Sequence, residues 1–374
     1  MTLRYFFGPA LHDELGEPFD RFMASSPFAA YQQSRAWAEV APRKKHHEWR
    51  FFACFDDTPA PAGAMVGGAV VRLTRLPLGY RLATIQRGPV VHAPERLGEV
   101  LRALSAALTA AQCCSVQLGP RVRGRALPTM AEAMRLAGLA LLPHNRQPLH
   151  DTTGIVWLDK PEADVLAGFK QRGRRQIRAA AKAGIAVRAT EGGPDGADVA
   201  QYQAVLDGFA AAHPDYDMGG LPDARGQARL IDALGGEMLL ATREGQVIGG
   251  HAFVRQADEA IWLSLATLNP AANPAAGAAL LWEGMRSARA QGAVGYDLAG
   301  LPREEARDPG EAGRQQFKTG FAPSTRIMPP MQLGSLRTVP HALLFSARQA
   351  YRARQAKSAR AATPLAAGAE VTYG

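Results

Sequence analysis

Met238-Leu239-Leu240-Ala241-Thr242-Arg243-Glu244-Gly245-Gln246-Val247-Ile248-Gly249-Gly250-His251-Ala252-Phe253-Val254 is two apolar, β-prone runs on either side of a four-residue polar turn. Such a pattern predicts an antiparallel hairpin, with strands over 238–242 and 247–254 around the turn Arg243 to Gln246. Downstream, Ala260 to Ala266 reads as a third strand, Ala275 to Gln291 as a helix and Val294 to Leu298 as a fourth strand. The same succession occurs earlier: strands at 49–55, 64–73 and 81–86, a helix at 97–111 and a strand at 115–118. Corresponding strands lie about 180 residues apart, a spacing suited to two similar α/β units and not to a short-period solenoid.

Composition admits two domains with ordinary cores. The 374 residues are 47% hydrophobic and 21% charged, as in soluble globular proteins. A formal net charge of +9 favours polyanionic partners: nucleic acid, nucleotide-linked sugars or an anionic membrane surface. Residues 1–17 lack the basic start and continuous apolar stretch of a signal peptide. No apolar run is long enough to span a bilayer, so a cytoplasmic location is expected. Cys113 and Cys114 are adjacent, which leaves Cys54 without an obvious disulfide partner. His46-His47, His213 and His251 form no metal-ligand spacing, and no metal is expected.

The candidate chemistry lies near the C-terminus. Tyr296-Asp297-Leu298-Ala299-Gly300 is followed, after a polar insert, by Phe317-Lys318-Thr319-Gly320-Phe321. A strand ending in glycine and a lysine between two aromatics is one way to hold a cation in a cleft; a solvent-facing lysine beside two core rings is the alternative. Lys170 to Lys182 holds six cations and no acid, in a helix expected to begin near Asp159-Lys160-Pro161 and to stop at Gly184. Within it Arg175, Arg178 and Lys182 share one face, suited to a diphosphate or an RNA backbone unless the face is merely solvated.

A three-stranded meander followed by helix and strand is the central succession of the GNAT acyltransferase fold. The chain resembles the FemABX family of peptidoglycan-bridge aminoacyltransferases from about Tyr31 to Phe321. The residues that carry the resemblance are Gln33-Ser34-Arg35-Ala36-Trp37, Arg87-Gly88-Pro89-Val90, Ile177 to Gly184, Tyr296 to Gly300 and Phe317-Lys318. It implies an α/β (α+β) protein of tandem GNAT-like domains, each a mixed sheet flanked by helices. The expected boundaries are 1–155 for the first domain and 156–335 for the second, whose last segment packs back on the first. A basic helix and disordered tail are expected over 336–374.

The implied activity is transfer of an amino acid from aminoacyl-tRNA to the stem-peptide amine of a UDP-linked or lipid-linked muropeptide. It would be carried out by a monomer without a cofactor, in peripheral contact with the inner membrane surface. In this reading Lys318, Phe317 and Asp297 are catalytic, with Lys318 meeting the oxyanion. Arg175, Arg178, Lys182, Trp37, Lys44 and Tyr296 bind substrate. Two departures from the family pattern stand out. Glu39 and Ala41 follow Trp37 where a phosphate-binding lysine is common, with Lys44 and Lys45 arriving later. In the first domain, Gln117-Leu118-Gly119-Pro120 occupies a strand end where some relatives carry an aspartate.

Two other classes remain open. Pro274-Ala275-Ala276-Gly277-Ala278-Ala279 keeps the Gly-x-Ala end of the loop with which GNAT enzymes hold the coenzyme A pyrophosphate, but has proline where a polar residue is usual. Gly277 would then bind coenzyme A, and the protein would be an acyl-CoA-dependent N-acyltransferase. The third class is a non-catalytic RNA-binding protein; the cations Arg348, Arg352, Arg354 and Lys357 near the end of the chain suit tRNA, an anionic membrane surface or a merely solubilising extension.

Overall fold

The computed structural model describes residues 3–56, 64–122, 124–142, 150, 152–214, 220–301, 309–343 and 346. The segment 302–308, part of the polar insert before Phe317, and the basic residues from Arg348 onward lie outside the described residues. Two sheets organise the molecule. The first contains β1 (Arg4–Gly8), β2 (His47–Phe55), β3 (Met65–Arg75), β4 (Arg81–Arg87), β5 (Val90–Val91), β6 (Cys113–Pro120) and β7 (Ala140–Leu141). The second contains β8 (Thr152–Trp157), β9 (Ala186–Ala189), β10 (Gly236–Arg243), β11 (Gln246–Gln256), β12 (Glu259–Thr267), β13 (Gly295–Gly300) and β14 (Ser324–Ile327). A last strand, β15 (Gln332–Ser335), returns to the first sheet. The helices are α1 (Asp13–Ser25), α2 (Arg35–Val40), α3 (Leu97–Ala110), α4 (Leu127–Leu136), α5 (Glu162–Gly168), α6 (Gln171–Lys182), α7 (Ala197–Ala212), α8 (Ala224–Leu234), α9 (Ala276–Ala290) and α10 (Pro309–Thr319).

Strand order is β1-β2-β3-β4-β6-β15-β7 in the first sheet, with β5 on β3, and β14-β8-β13-β12-β11-β10-β9 in the second. Each holds an antiparallel meander, β2-β3-β4 or β10-β11-β12, followed by a helix and a parallel strand, as the duplicated pattern predicts. The copies differ where that parallel strand joins. β4 and β6 pair from Arg81 to Arg87 along the whole strand. β12 and β13 pair only at Glu259–Gly295, Ala260–Tyr296 and Ile261–Asp297 and then part. The second unit is thus open at the end of β13, and the first is closed.

The sheets depart from the expected boundaries in one place. β8 begins at Thr152 and belongs to the second sheet, so the division precedes residue 152. β15 lies between β6 and β7, which ties the end of the chain into the first unit. The buried core is shared as well: Tyr31 and Trp37 pack with Tyr202, Leu230 and Leu240 of the second unit.

Three local features follow directly from sequence. Ser34 caps α2 by accepting from the Trp37 amide at 3.0 Å. Gln33, 1% exposed, donates to the Gln86 carbonyl at 2.7 Å and accepts from the Val70 amide at 2.8 Å, bridging β3 and β4. The helix read over 161–184 is broken. Phe169 and Lys170 take extended backbone between α5 and α6, because the Phe169 ring turns inward onto Phe321 and Trp282 at 5.1 and 5.4 Å. Arg174 donates to the Ala167 carbonyl at 2.8 Å and to that of Phe169, satisfying the end of α5. Gly184, with φ of +67°, follows the end of α6 as expected.

Candidate functional site

The open end of β13 is a strained bulge. Ala299 adopts φ of +58°, a cost that surrounding contacts must sustain. The Asp297 carboxylate supplies them by accepting from the Ala299 amide at 2.8 Å and from the Thr153 hydroxyl of β8, whose Oγ1 also lies 2.8 Å from the Ala299 carbonyl. Asp297 and Thr153 are 2% and 0% exposed. The bulge presents the Gly300 carbonyl to Lys318, whose Nζ donates to it at 2.8 Å. The ammonium also stands 5.0 Å from the centre of the Trp262 ring on β12, within cation–π range. Burial pushes its pKa down to about 8, Asp297 pulls it back up, and Arg314 adds to the lowering. It is a restrained, half-buried cation and not a freely solvated one.

Phe317 and Trp262 fill the gap where β12 and β13 part. Their rings meet edge to face at 6.4 Å, and Phe317 packs on Phe321 at 5.4 Å. A Cβ placed on Gly277, in the first turn of α9, would lie 3.6 Å from the Phe317 ring. The loop expected to bind coenzyme A therefore faces an aromatic side chain.

Sequence reasoning gave no role to the residues that bring the two units together here. Arg87, 4% exposed and at φ of +57°, donates from its guanidinium to the His150 carbonyl at 2.6 Å. His150 lies over Gly300, its ring 3.0 to 3.1 Å from where a Cβ at Gly300 would stand. His150 keeps an exposed surface, and desolvation by the protein around it, with Arg87 and Lys318 adding to it, pushes the imidazole down to about 3. It is neutral at ordinary pH. Behind the bulge, Glu259 is held by two arginines. Arg326 of β14 donates both terminal nitrogens to the Glu259 oxygens at 2.6 and 2.8 Å, and Arg121 of the first unit donates to Oε2. Arg121 and Glu259 are 2% and 1% exposed. Arg87-Gly88-Pro89 was visible in the sequence as a motif; the Arg121–Glu259 pairing joins residues 138 positions apart, and no local pattern signals it.

The other predicted residues divide. Arg175, Arg178 and Lys182 lie exposed on one face of α6, with no ion pair among the described residues. Arg172 and Arg175 line a polar cleft of about 430 Å³ with Gln171, Gln176 and Gln316 of α10. α6 is seated directly on the turn after Lys318: the Lys170 amide donates to the Gly320 carbonyl at 3.0 Å. A Cβ on Gly173 would stand 2.6 Å from that oxygen. Gly173→Ala should therefore shift α6 off the Lys318 turn and lower stability by roughly 1–3 kcal/mol, read from the denaturant midpoint, with activity falling in parallel.

Two placements, those of Trp37 and Tyr296, correct the expectation of substrate contact. Trp37, 5% exposed, packs edge to face on Tyr31 at 5.2 Å inside the shared core. Tyr296 is 0% exposed, and its hydroxyl lies 2.5 Å from His251 Nε2. Lys44 sits exposed in the turn before β2, where its charge falls on His47. A side chain sealed in the core cannot touch a ligand. Tyr296 instead ends a buried chain of polar groups. His251 Nδ1 donates to the Ser264 carbonyl at 2.8 Å, so Nε2 accepts from Tyr296, and Ser264 joins Tyr202 at 2.6 Å and Gln227 at 2.5 Å. Burial holds His251 neutral, with a pKa of about 4. Tyr296→Phe should leave Nε2 unpaired and cost about 1–3 kcal/mol in chemical denaturation, with the specific activity of folded protein unchanged.

Among the described residues there is no cluster of three His, Cys, Asp or Glu side chains placed to hold a metal, and no helix long and apolar enough to cross a membrane. The three cysteines are buried and free. Desolvation pushes the Cys54 and Cys113 thiols up to about 12, which keeps them from acting as thiolates.

Comparison with known proteins agrees with this architecture. The model of the acetyltransferase (GNAT) domain family matches residues 167–319. The crystal structure of FemX superposes with a TM-score of 0.72 at 17% identity, covering 91% of this chain and 99% of that one. A tandem GNAT protein from the clavulanic acid biosynthesis pathway gives 0.52 at 15% identity, over 89% of this chain and 99% of that one. L-PGS from Bacillus licheniformis gives 0.54 at 12% identity, over 89% and 96%. No curated protein matches the chain. The bulged end of β13, the restrained lysine after it and the preceding meander thus lie in a tandem GNAT-like fold shared with FemX, in the part of this chain that the acetyltransferase (GNAT) domain model matches.

Proposed function

We propose that this acyltransferase moves an aminoacyl group from aminoacyl-tRNA to the stem-peptide amine of a nucleotide-linked or lipid-linked muropeptide. The observation that carries the reading is the aromatic filling beside Lys318. Phe317 packs against Gly277 at the start of α9, where a GNAT enzyme would hold the coenzyme A pyrophosphate, and the ammonium of the next residue is held on the Gly300 carbonyl. The uncompensated cations of α6 stand on the neighbouring helix, seated against the same turn. They suit the diphosphate of the acceptor or the backbone of a tRNA. The resemblance to FemABX enzymes assigns the same chemistry to these positions.

An aminoacyl ester is already activated. The neutral acceptor amine attacks its carbonyl, the carbonyl oxygen gathers negative charge, and collapse expels the ribose oxygen, which takes up the proton lost by the amine. Lys318 supplies the charge for the tetrahedral oxyanion, and Phe317 and Trp262 exclude water around it. Asp297 acts by fixing the bulge that aims Gly300 and Lys318. With charged tRNA and a UDP-muropeptide, purified protein should add the mass of one amino acid to the acceptor. Failure with every charged tRNA, together with turnover of an acyl-CoA, would refute this reading. Acyl-CoA-dependent N-acylation is favoured by the Gly-x-Ala start of α9 and by the acetyltransferase family match, and it requires Phe317 to swing off Gly277.

A further inference from the structure

The transfer chemistry leaves one proton without a carrier. Attack by a neutral amine puts a positive charge on nitrogen in the tetrahedral intermediate, and the ribose oxygen departs as an alkoxide unless that proton reaches it. Lys318, already a cation, cannot take it up. Among the described residues in and behind the bulge, the other titratable groups are committed elsewhere. The buried Asp297 carboxylate accepts from the Ala299 amide and the Thr153 hydroxyl. Glu259 is locked between Arg121 and Arg326. The Tyr31 phenol, within electrostatic reach of Arg87 and Asp297, is buried, and desolvation raises it to about 12.

His150 differs from these. It is exposed, and its backbone is tied down, because the Arg87 guanidinium donates to its carbonyl at 2.6 Å. The edge of the ring nearest Gly300 is the Cγ and Nδ1 side, 3.0 and 3.1 Å from where a Cβ at that glycine would stand. Nε2 is thereby on the edge turned away from Gly300. Two side chains meet the same glycine: His150 lies against its Cα, and Lys318 donates to its carbonyl oxygen at 2.8 Å. Any side chain at 300 would press on the imidazole, so the close approach depends on glycine. Desolvation, with the cations Arg87 and Lys318 on either side, keeps the ring unprotonated at ordinary pH.

We propose that His150 is the general base of the transfer, its Nε2 lone pair taking the proton from the attacking amine and passing it to the leaving oxygen of the donor ester. This assignment rests on the aminoacyl-transfer reading above. As the bond from amine nitrogen to carbonyl carbon forms, the proton moves from nitrogen to Nε2, with Nδ1 keeping its own hydrogen. The imidazolium then stands beside the oxyanion, and each charge offsets the other for the life of the intermediate. When the carbonyl re-forms and the bond to the ribose oxygen breaks, Nε2 gives the proton to that oxygen, and the imidazole is neutral again. The surroundings that keep the ring unprotonated at rest also make its imidazolium a strong acid, suited to protonating an alkoxide. So weak a base cannot strip a free ammonium group, and the acceptor amine must enter neutral.

His150→Ala should lower kcat by about 10²-fold or more, with KM for both substrates within about twofold and an unchanged melting temperature. His150→Gln, which keeps hydrogen-bonding groups but cannot carry a proton, should be as slow. Added imidazole should restore the rate of His150→Ala in proportion to its unprotonated concentration and leave Lys318→Ala unrepaired. Rescue by glutamine but not by imidazole would mean that His150 only holds the site together, and it overturns the proposal. A kcat within about threefold of wild type in both variants does the same. Failure of the wild type with every charged tRNA strikes the aminoacyl reading instead; an amine attacking a thioester sheds the same proton, so the variants are then compared on acyl-CoA turnover by the same criteria.

Discussion

Lys318→Ala should lower the transfer rate by about 10²–10³-fold, the usual consequence of removing one donor to a developing oxyanion. Substrate binding should change far less, because the group acts on charge that appears only in the transition state. The pH profile gives the sharper test. The Lys318 ammonium has a pKa of about 8, so activity that needs the cation should fall as pH rises through about 8. In Lys318→Arg, which stays charged in this range, the alkaline fall attributable to residue 318 should vanish even if the altered reach lowers the rate. A profile identical in wild type and Lys318→Arg would rule out the role. Stability should move the other way. The folded pKa lies below the ordinary lysine value of 10.5, so between about 8 and 10.5 the unfolded chain binds the extra proton. This group's unfavourable contribution is complete below about 8 and is relieved as pH climbs through that window.

The second large effect is expected at Glu259. Its carboxylate is 1% exposed and stands between Arg121 and Arg326. Glu259→Gln leaves two guanidinium groups facing each other with no charge between them. Removing one partner of a buried ionic group typically costs 3–5 kcal/mol, about the cost expected here. The change should appear as a lowered urea midpoint, and because Arg121 belongs to the first unit, both units should be affected. A shift below about 1 kcal/mol would mean that water reaches the pair and screens it. Arg326→Lys, which keeps the charge and loses the two-pronged geometry, should fall between wild type and Glu259→Gln.

The duplicated meander was legible because strand and helix periodicities are local properties. The runs at 238–254 and 260–266 became most of β10, β11 and β12, and Ala275 to Gln291 became α9 with one residue trimmed at each end. The break at Phe169 was not legible, since the helical pattern continues through it. The ring leaves the helix to reach Phe321, which is remote in sequence. Tyr296 and Trp37 were misread for a related reason. An aromatic beside a motif looks the same in sequence whether it faces a ligand or the core, and only packing against His251 or Tyr31 decides.

The sequence alone determined the tandem order of elements, the basic face of α6 and a lysine between two aromatics, all written in spacing along a few turns or strands. Tertiary structure alone decided that β12 and β13 part while β4 and β6 stay zipped, and that Phe317 packs against Gly277. It also brought Arg87, His150 and Lys318 around Gly300. The physical reason is sequence distance. Periodicity reports which face of an element is apolar, whereas a cleft is set by which elements meet, and its side chains here come from positions 87 to 318 along the chain.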